Sequence, residues 1–136
     1  MEGATSLDGL NVLVVDDDEA MRMLVCRMLK RMKIDRILEA GGGEQALEQL
    51  AAGPEGVDIV ICDWNMPGMS GMDLFKQVHA NQPKLPFLML TGRADLESVV
   101  AAKKAGVHGY IVKPISPLEL KTKITFLLGN AAAHGG

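Results

Sequence analysis

Short runs of apolar residues occur at five places along the chain and predict five β-strands. The runs are Val12–Val15, Ile37–Leu38, Val57–Cys62, Phe87–Leu90 and Tyr110–Val112. Within each run the apolar positions are largely consecutive and do not alternate with polar ones. This pattern is typical of strands that are buried on both faces of a parallel sheet.

The segments between these runs carry apolar residues at helical spacing. The first segment has the most regular stripe, formed by Met21, Leu24, Val25, Met28, Leu29 and Met32. The last segment has the clearest start, because Ser116 can cap a helix, Pro117 suits its first turn and Glu119 completes a capping box. The pattern therefore predicts five strands that alternate with five helices.

A strand–helix alternation of this kind predicts an α/β fold with a five-stranded parallel sheet and helices on both faces. The predicted domain covers residues 9–129, with an N-terminal tail at 1–8 and a C-terminal tail at 130–136. In such sheets functional sites form at the carboxyl ends of the strands. Functional residues are therefore expected at the carboxyl ends of the predicted strands.

Composition narrows the class of protein. The 136 residues are 48% hydrophobic, which is enough for a core, and the net charge of −3 argues against a nucleic-acid-binding face. Cys26 and Cys62 cannot form a disulfide framework, and His79, His108 and His134 are interpreted as surface residues. We find neither a signal peptide nor an apolar run of about 20 residues. A soluble, cytoplasmic protein without membrane association is expected.

Acidic residues follow two of the predicted strands directly. Asp16 and Asp17 come after the first strand and Asp63 comes after the third. If these strands are neighbours, the carboxylates converge, and a cation such as Mg²⁺ would relieve their mutual repulsion. A plainer interpretation is that the acidic run only caps the first helix, and we expect that role for Asp18 and Glu19.

A hydroxyl and an ammonium group follow the two remaining strands of interest. Thr91 ends the fourth strand and Lys113 ends the fifth. Alone, Thr91 would be interpreted as a cap and Lys113 as part of an ordinary salt bridge. Together with the carboxylates they suit a Mg²⁺-assisted transfer of a phosphoryl group to a carboxylate, in which Thr91 and Lys113 hold its oxygens.

Four sequence blocks resemble the receiver domains of two-component response regulators, especially the single-domain, CheY-like chemotaxis type. The blocks are VLVVDDDEAMR at 12–22, DWNMPGMSGMDL at 63–74, LTG at 90–92 and GYIVKP at 109–114. The resemblance covers about residues 8–129. It implies a flavodoxin-like sheet with the strand order 2-1-3-4-5, in agreement with the pattern of apolar runs.

The resemblance also implies roles for the acidic residues. Asp63 corresponds to the phosphoacceptor, which takes its phosphoryl group from a sensor histidine kinase. Asp17 and Asp63 correspond to the carboxylate ligands of Mg²⁺. Asn65 would add its backbone carbonyl to the metal site, and Asp16 would act through water.

Further roles follow from the same resemblance. Thr91 and Tyr110 correspond to the switch pair, and Lys113 to the ammonium group that precedes a cis proline, here Pro114. Asn65 and Arg93 are expected to overhang the phosphorylated carboxylate and to control its lifetime. Arg93 stands where well-known chemotaxis receivers carry Glu. If it covers the phosphoryl group it slows hydrolysis; the alternative is that it points into solvent at the start of the fourth helix, near Asp95 or Glu97, and the sequence leaves the direction of its effect open.

The leading functional hypothesis is a stand-alone receiver that acts as a switch and not as an enzyme. Its expected partners are a histidine kinase and a downstream protein, such as a flagellar motor switch, and the unphosphorylated form is expected to be a monomer. A phosphorelay shuttle or a receiver that regulates a kinase is the alternative within this class. The last helix does not closely match a motor-binding surface, so the downstream partner stays open.

Two hypotheses from other classes compete with a receiver. A haloacid-dehalogenase-type phosphatase would use an Asp-x-Asp pair, here Asp16 and Asp18, and would leave Asp63 unexplained. A flavin-binding electron carrier would need a Ser/Thr/Gly-rich phosphate loop after the first strand. The loop here is acidic and would repel phosphate unless a metal were bound.

Overall fold

Strands and helices alternate along the chain in the computed structural model. The structure describes residue 7 and residues 9–53, 56–92 and 96–135; for residues 96 and 130–135 it describes the backbone only. The strands are β1 (Asn11–Val15), β2 (Arg36–Ala40), β3 (Ile59–Asp63), β4 (Phe87–Thr91) and β5 (Gly109–Val112). The helices are α1 (Glu19–Arg31), α2 (Gly43–Ala52), α3 (Gly71–Asn81), α4 (Leu96–Ala105) and α5 (Pro117–Gly135).

All five strands lie in one parallel sheet with the order β2-β1-β3-β4-β5. This topology confirms the predicted fold class and strand order. The register pairs Val15 of β1 with Cys62 of β3. Because the next residues of the two strands are Asp16 and Asp63, the sheet brings these two carboxylates to the same edge.

Two apolar layers enclose the sheet. On one face α1 and α5 pack through residues such as Val25, Leu29 and Ile124, and on the other α2 and α3 pack through residues such as Ala46 and Phe75. The central strands face both layers, so β3 and β4 are buried at every position. This explains why their apolar residues are consecutive.

Strand β2 differs from the predicted doubly buried strand. It lies at the edge of the sheet, its first four residues are exposed or half-buried, and the Leu38 side chain is 44% exposed. An edge strand contacts a neighbour on one side only. Its short apolar run, Ile37–Leu38, reflects this position.

Helix α5 continues beyond the predicted domain boundary. Its backbone is helical to Gly135, into the segment 130–136 that we expected to be a tail. Residues 131–133 are all alanine, the residue with the highest helix propensity, which accounts for the extension. Within the described residues, no helix combines the length and apolar character needed to cross a membrane.

Two of the three histidines are not simple surface residues. The half-buried His79 ring stacks on Phe75 at a centroid distance of 5.0 Å and lies 5.9 Å from the His108 ring. His108 Nδ1 accepts a hydrogen bond from the backbone N–H of Phe87, at the start of β4, at 3.2 Å. The expectation of surface exposure is therefore corrected for His79 and His108, while the His134 side chain lies outside the described residues.

We expect His108 to make folding stability depend on pH. Burial, and then the nearby His79, lower the pKa of His108 below its ordinary value of 6.5. The unfolded chain therefore takes up this proton first, so stability is fully present above about pH 6.5 and falls as the pH drops toward the lower folded-state pKa. Urea denaturation between pH 5 and pH 7.5 measures the effect.

The variant His108→Asn isolates this contribution. Its Oδ1 can accept the Phe87 N–H in place of Nδ1 but does not titrate. The stability of His108→Asn should fall less steeply below pH 6.5 than that of wild type. Parallel pH profiles for the two proteins would assign the acid sensitivity to other groups.

Candidate functional site

Three carboxylates converge at the carboxyl edge of the sheet. Asp16 and Asp17 follow β1, and Asp63 is the last residue of β3. One carboxylate oxygen from each lies within 4.8 Å of the others. The adjacent strands β1 and β3 produce this convergence, as the sequence analysis anticipated.

Asp16 is the most constrained member of this cluster. It is 2% exposed, and its Oδ1 accepts the Asp18 N–H at 2.9 Å. Its Oδ2 is buried and has no hydrogen-bond partner among the described residues. Burial raises the pKa of Asp16, the charges of Asp63 and Asp17 raise it further, and the Asp18 N–H and Lys113 oppose the shift.

This arrangement fits a divalent cation of the Mg²⁺ type. The donors are hard carboxylate oxygens, and Asp16 Oδ2 lacks a protein partner within the described part of the chain. Asp17 is exposed, whereas Asp16 and Asp63 are buried. The cluster is therefore anchored in the protein on one side and open to solvent on the other.

Lys113 supplies the positive charge of the site. Its Nζ lies 2.7 Å from Asp63 Oδ1, and the side chains of Lys113 and Asp63 are 26% and 8% exposed. The Lys113–Pro114 peptide bond is cis, as the family resemblance implies. The backbone N–H of Lys113 donates to the Thr91 carbonyl at 2.7 Å, which ties the end of β5 to the end of β4.

The proposed switch residues lie on β4 and β5. Thr91 is the last residue of β4 and is 2% exposed, in the strand adjacent to β3 and Asp63. Tyr110 is half-buried and packs against the apolar layer of α2 and α3. Beside it, a groove of about 460 Å³ includes Lys103 of α4 and Glu119 and Lys123 of α5.

Of the two residues expected to control phosphate lifetime, the structure describes only one. Asn65 is exposed on the loop between β3 and α3, two residues after Asp63. Arg93 lies outside the described residues. Its effect on lifetime stays a prediction.

Asp18 belongs to a helix cap and not to the carboxylate cluster. Its Oδ1 accepts from the N–H groups of Ala20 and Met21 at 3.0 and 3.4 Å, and it is exposed. This is the capping role that we expected for Asp18. It also disfavours the phosphatase hypothesis, which would need Asp18 beside Asp16 as a second catalytic acid.

Two residues next to the site were missed by the sequence analysis. Gly71 begins α3, and a side chain there would collide with the Asp63 carbonyl. Arg22 of α1 donates to the Asp16 carbonyl at 2.7 Å. Both are present in the sequence blocks quoted above, but only the folded chain shows what they contact.

Comparison with known proteins identifies the class. The family model of the response regulator receiver domain matches residues 12–125. The chain belongs to this family, whose members act in two-component signalling. The match covers all five strands except Asn11, the first residue of β1, and it covers every site residue described above.

Among receivers, the chain is similar to chemotaxis proteins. It is 41% identical to the chemotaxis protein CheY1 of Helicobacter pylori over 123 residues, which are 89% of this chain and 98% of that protein. It is 42% identical to CheY-3 of Vibrio cholerae, with 85% of this chain and 88% of that protein covered. The solved structure of Vibrio cholerae CheY4 has a TM-score of 0.79, 30% identity and coverage of 87% and 98%.

Proposed function

We propose that the chain is a phosphorylation-driven switch in which Asp63 accepts a phosphoryl group from a histidine kinase. A carboxylate oxygen of Asp63 attacks phosphorus while the bond from phosphorus to the donor imidazole nitrogen breaks. The electron pair of that bond returns to the imidazole, which takes up a proton. Because Lys113 contacts Oδ1 of Asp63, Oδ2 is the candidate nucleophile.

Mg²⁺ is the proposed cofactor. Asp17 and Asp63 would bind it directly, Asn65 through its backbone carbonyl and Asp16 through water. When bound, Mg²⁺ neutralises negative charge on the carboxylates and on the phosphoryl oxygens. The buried Asp16 holds the loop after β1 in place on the inner side of the site.

Lys113 is proposed to hold the reacting groups. Its ammonium group lies 2.7 Å from Asp63 and can donate more than one hydrogen bond. It can therefore contact Asp63 and a phosphoryl oxygen together. This places a positive charge where negative charge increases during the transfer.

One observation carries the proposal: Asp16, Asp17 and Asp63 converge beside Lys113 at the carboxyl edge of the sheet. We expect Asp63→Asn to abolish phosphorylation by acetyl phosphate, because it removes the nucleophilic oxygen. Mass spectrometry of the intact protein, after incubation with acetyl phosphate and Mg²⁺, measures the product.

Asp18→Asn is the matched control for this experiment. Asparagine caps a helix about as well as aspartate, so α1 should be retained and phosphorylation should remain at the wild-type level. Stoichiometric phosphorylation of natively folded Asp63→Asn at another residue would contradict the assignment. Phosphorylation of wild type in the presence of excess EDTA would contradict the role of Mg²⁺.

The similarity to CheY proteins favours a role in chemotaxis, with a histidine kinase upstream and a protein such as the flagellar motor switch downstream. A phosphorelay shuttle, or a receiver that regulates a kinase, is the second candidate, because the sequence of the last helix does not closely match a motor-binding surface. We place the protein in the cytoplasm and expect a monomer before phosphorylation. Binding measurements with phosphorylated and unphosphorylated protein distinguish the partners.

Thr91 is proposed to couple phosphorylation to the face formed by α4, β5 and α5. Its hydroxyl would move toward the phosphoryl group, and Tyr110 would turn into the space that Thr91 leaves. We therefore expect Thr91→Ala to accept phosphate but to show less than about half of the wild-type change on this face. The measurement is the change in NMR chemical shifts on phosphorylation.

The control for this prediction is Thr122→Ala. Thr122 is exposed on α5, and its hydroxyl donates to the Leu118 carbonyl of the same helix. It should keep the full response. Equal chemical-shift changes in Thr91→Ala and wild type would show that Tyr110 packs independently of Thr91.

A further inference from the structure

Arg22 is the only arginine whose side chain, within the described residues, hydrogen-bonds both to the residue that follows β1 and to β2. It lies on the first turn of α1, and its side chain is 18% exposed. Its Nη1 donates to the backbone carbonyl of Asp16 at 2.7 Å, and its Nε donates to Glu39 Oε1 of β2 at 3.0 Å. The planar guanidinium therefore joins the end of β1 to the edge strand.

The carbonyl of Asp16 needs this partner. Asp16 is buried beyond the last residue of β1, and its own N–H donates to the Ala40 carbonyl at 3.1 Å. Its carbonyl therefore lies where β1 no longer provides ladder hydrogen bonds, and Arg22 satisfies it. A buried carbonyl without a partner costs free energy, and the peptide group would rotate to find another donor.

Rotation of this peptide group would move Asp17. The Asp16 carbonyl and the Asp17 N–H belong to one rigid plane, because the peptide bond has partial double-bond character. Fixing the carbonyl therefore fixes the backbone from which the Asp17 side chain projects. Arg22 therefore acts on the Asp17 carboxylate through the backbone, because its own hydrogen bonds go to the Asp16 carbonyl and to Glu39.

Glu39 orients the arginine. Its carboxylate is 49% exposed and binds Nε, so that Nη1 faces the Asp16 carbonyl. The Glu39 carbonyl in turn accepts a hydrogen bond from Gln49 Nε2 of α2 at 2.7 Å. A lysine has a single ammonium group and cannot reproduce the two-nitrogen geometry of the guanidinium.

We infer that Arg22 is a positioning residue for cation binding: with Glu39, it fixes the Asp16–Asp17 peptide and thereby the carboxylate of Asp17. This inference rests on the proposed function, in which Asp17 binds Mg²⁺. Arg22 is expected to raise the affinity for the cation and to leave the rate of the transfer step unchanged, because its hydrogen bonds go to Asp16 and Glu39 and not to Asp63 or Lys113.

The test is a Mg²⁺ titration of the full chain, followed by the fluorescence of Trp64, the single tryptophan, which adjoins Asp63. We expect Arg22→Ala to weaken Mg²⁺ binding about tenfold, the lower range for loss of a residue that orients a ligand. At saturating Mg²⁺, the rate of phosphorylation by acetyl phosphate should return to within about twofold of wild type, since a tenfold loss of affinity is overcome by concentration.

Three further variants complete the test. Arg27→Ala changes an exposed arginine of the same helix and should bind Mg²⁺ as wild type does. Arg22→Lys should recover only part of the affinity, and Glu39→Ala should lose less than Arg22→Ala. If circular dichroism without Mg²⁺ shows that Arg22→Ala does not fold, the Mg²⁺ affinities of Arg22→Lys and Glu39→Ala are compared with wild type instead.

The outcomes separate this inference from the proposed function. A wild-type protein that shows neither Mg²⁺ binding nor phosphorylation contradicts the proposed function. Normal wild-type behaviour together with unchanged Mg²⁺ affinity in Arg22→Ala overturns the role of Arg22 alone, even if its melting temperature falls. A lower maximal rate at saturating Mg²⁺ with unchanged affinity overturns it as well.

Discussion

Replacement of Lys113 by methionine is expected to slow phosphorylation of Asp63 by about 10²- to 10³-fold, the usual loss when one preorganised donor is removed from a transition state. Methionine has a similar length but no charge and no N–H group. The ammonium group lies 2.7 Å from Asp63, and both side chains are largely protected from solvent. Its interaction with developing negative charge is therefore only partly screened by water.

The rate of phosphorylation by acetyl phosphate at saturating Mg²⁺ measures this effect. Saturation matters because Lys113 also offsets repulsion among the three carboxylates, so its loss can change Mg²⁺ affinity as well as the rate. Lys84→Met is a matched control, because Lys84 is exposed between α3 and β4, at the opposite edge of the sheet. A Lys113→Met rate within about threefold of wild type would remove Lys113 from the transfer step.

The central strands were predictable from the sequence because both of their faces are buried. Val12–Val15 and Phe87–Leu90 are apolar at every position, and these two runs lie within β1 and β4. The run Val57–Cys62 begins two residues before β3, which is Ile59–Asp63. The run Ile37–Leu38 predicted β2 at the correct place but covered only two of its five residues. An edge strand needs few apolar residues, so its ends left no signal in the sequence.

The carboxylate cluster was predictable for a topological reason. Asp16 and Asp63 each follow an apolar run directly, and parallel strands place their carboxyl ends at one edge. The contacts of Arg22, Gly71 and His108 had no such signal. Each contact depends on how a helix or strand packs against a segment that is distant in sequence. A single sequence does not show which distant segments come into contact.

The acidic run after β1 shows how one stretch of sequence can serve two purposes. Asp18 caps α1, as its hydrogen bonds to Ala20 and Met21 show. Asp16 and Asp17 face Asp63 instead. The competing interpretations of the sequence, a helix cap and a cation site, therefore apply to different residues of the same run.

Gly71→Ala is expected to lower the free energy of unfolding by about 2 kcal/mol, within the usual range for overpacking. A Cβ at residue 71 would overlap the Asp63 carbonyl and would lie 2.8 Å from Trp64 Cα and 2.9 Å from Met89 Sδ. The sulfur can move, but the two backbone atoms cannot move without shifting the end of β3. The N–H of Gly71 also donates to the Trp64 carbonyl at 2.8 Å, which holds the two segments together.

Urea denaturation measures the loss, and Gly129→Ala is the matched control. Gly129 is also helical, and apart from its chain neighbours and the backbone of its own helix no described atom lies within 4 Å of its ideal Cβ position, so alanine there should add up to about 1 kcal/mol through helix propensity. Because Gly71 presses against Asp63, its variant should also phosphorylate more slowly than wild type, whereas Gly129→Ala should not. A Gly71→Ala protein as stable as wild type would show that α3 can withdraw from β3 at no cost.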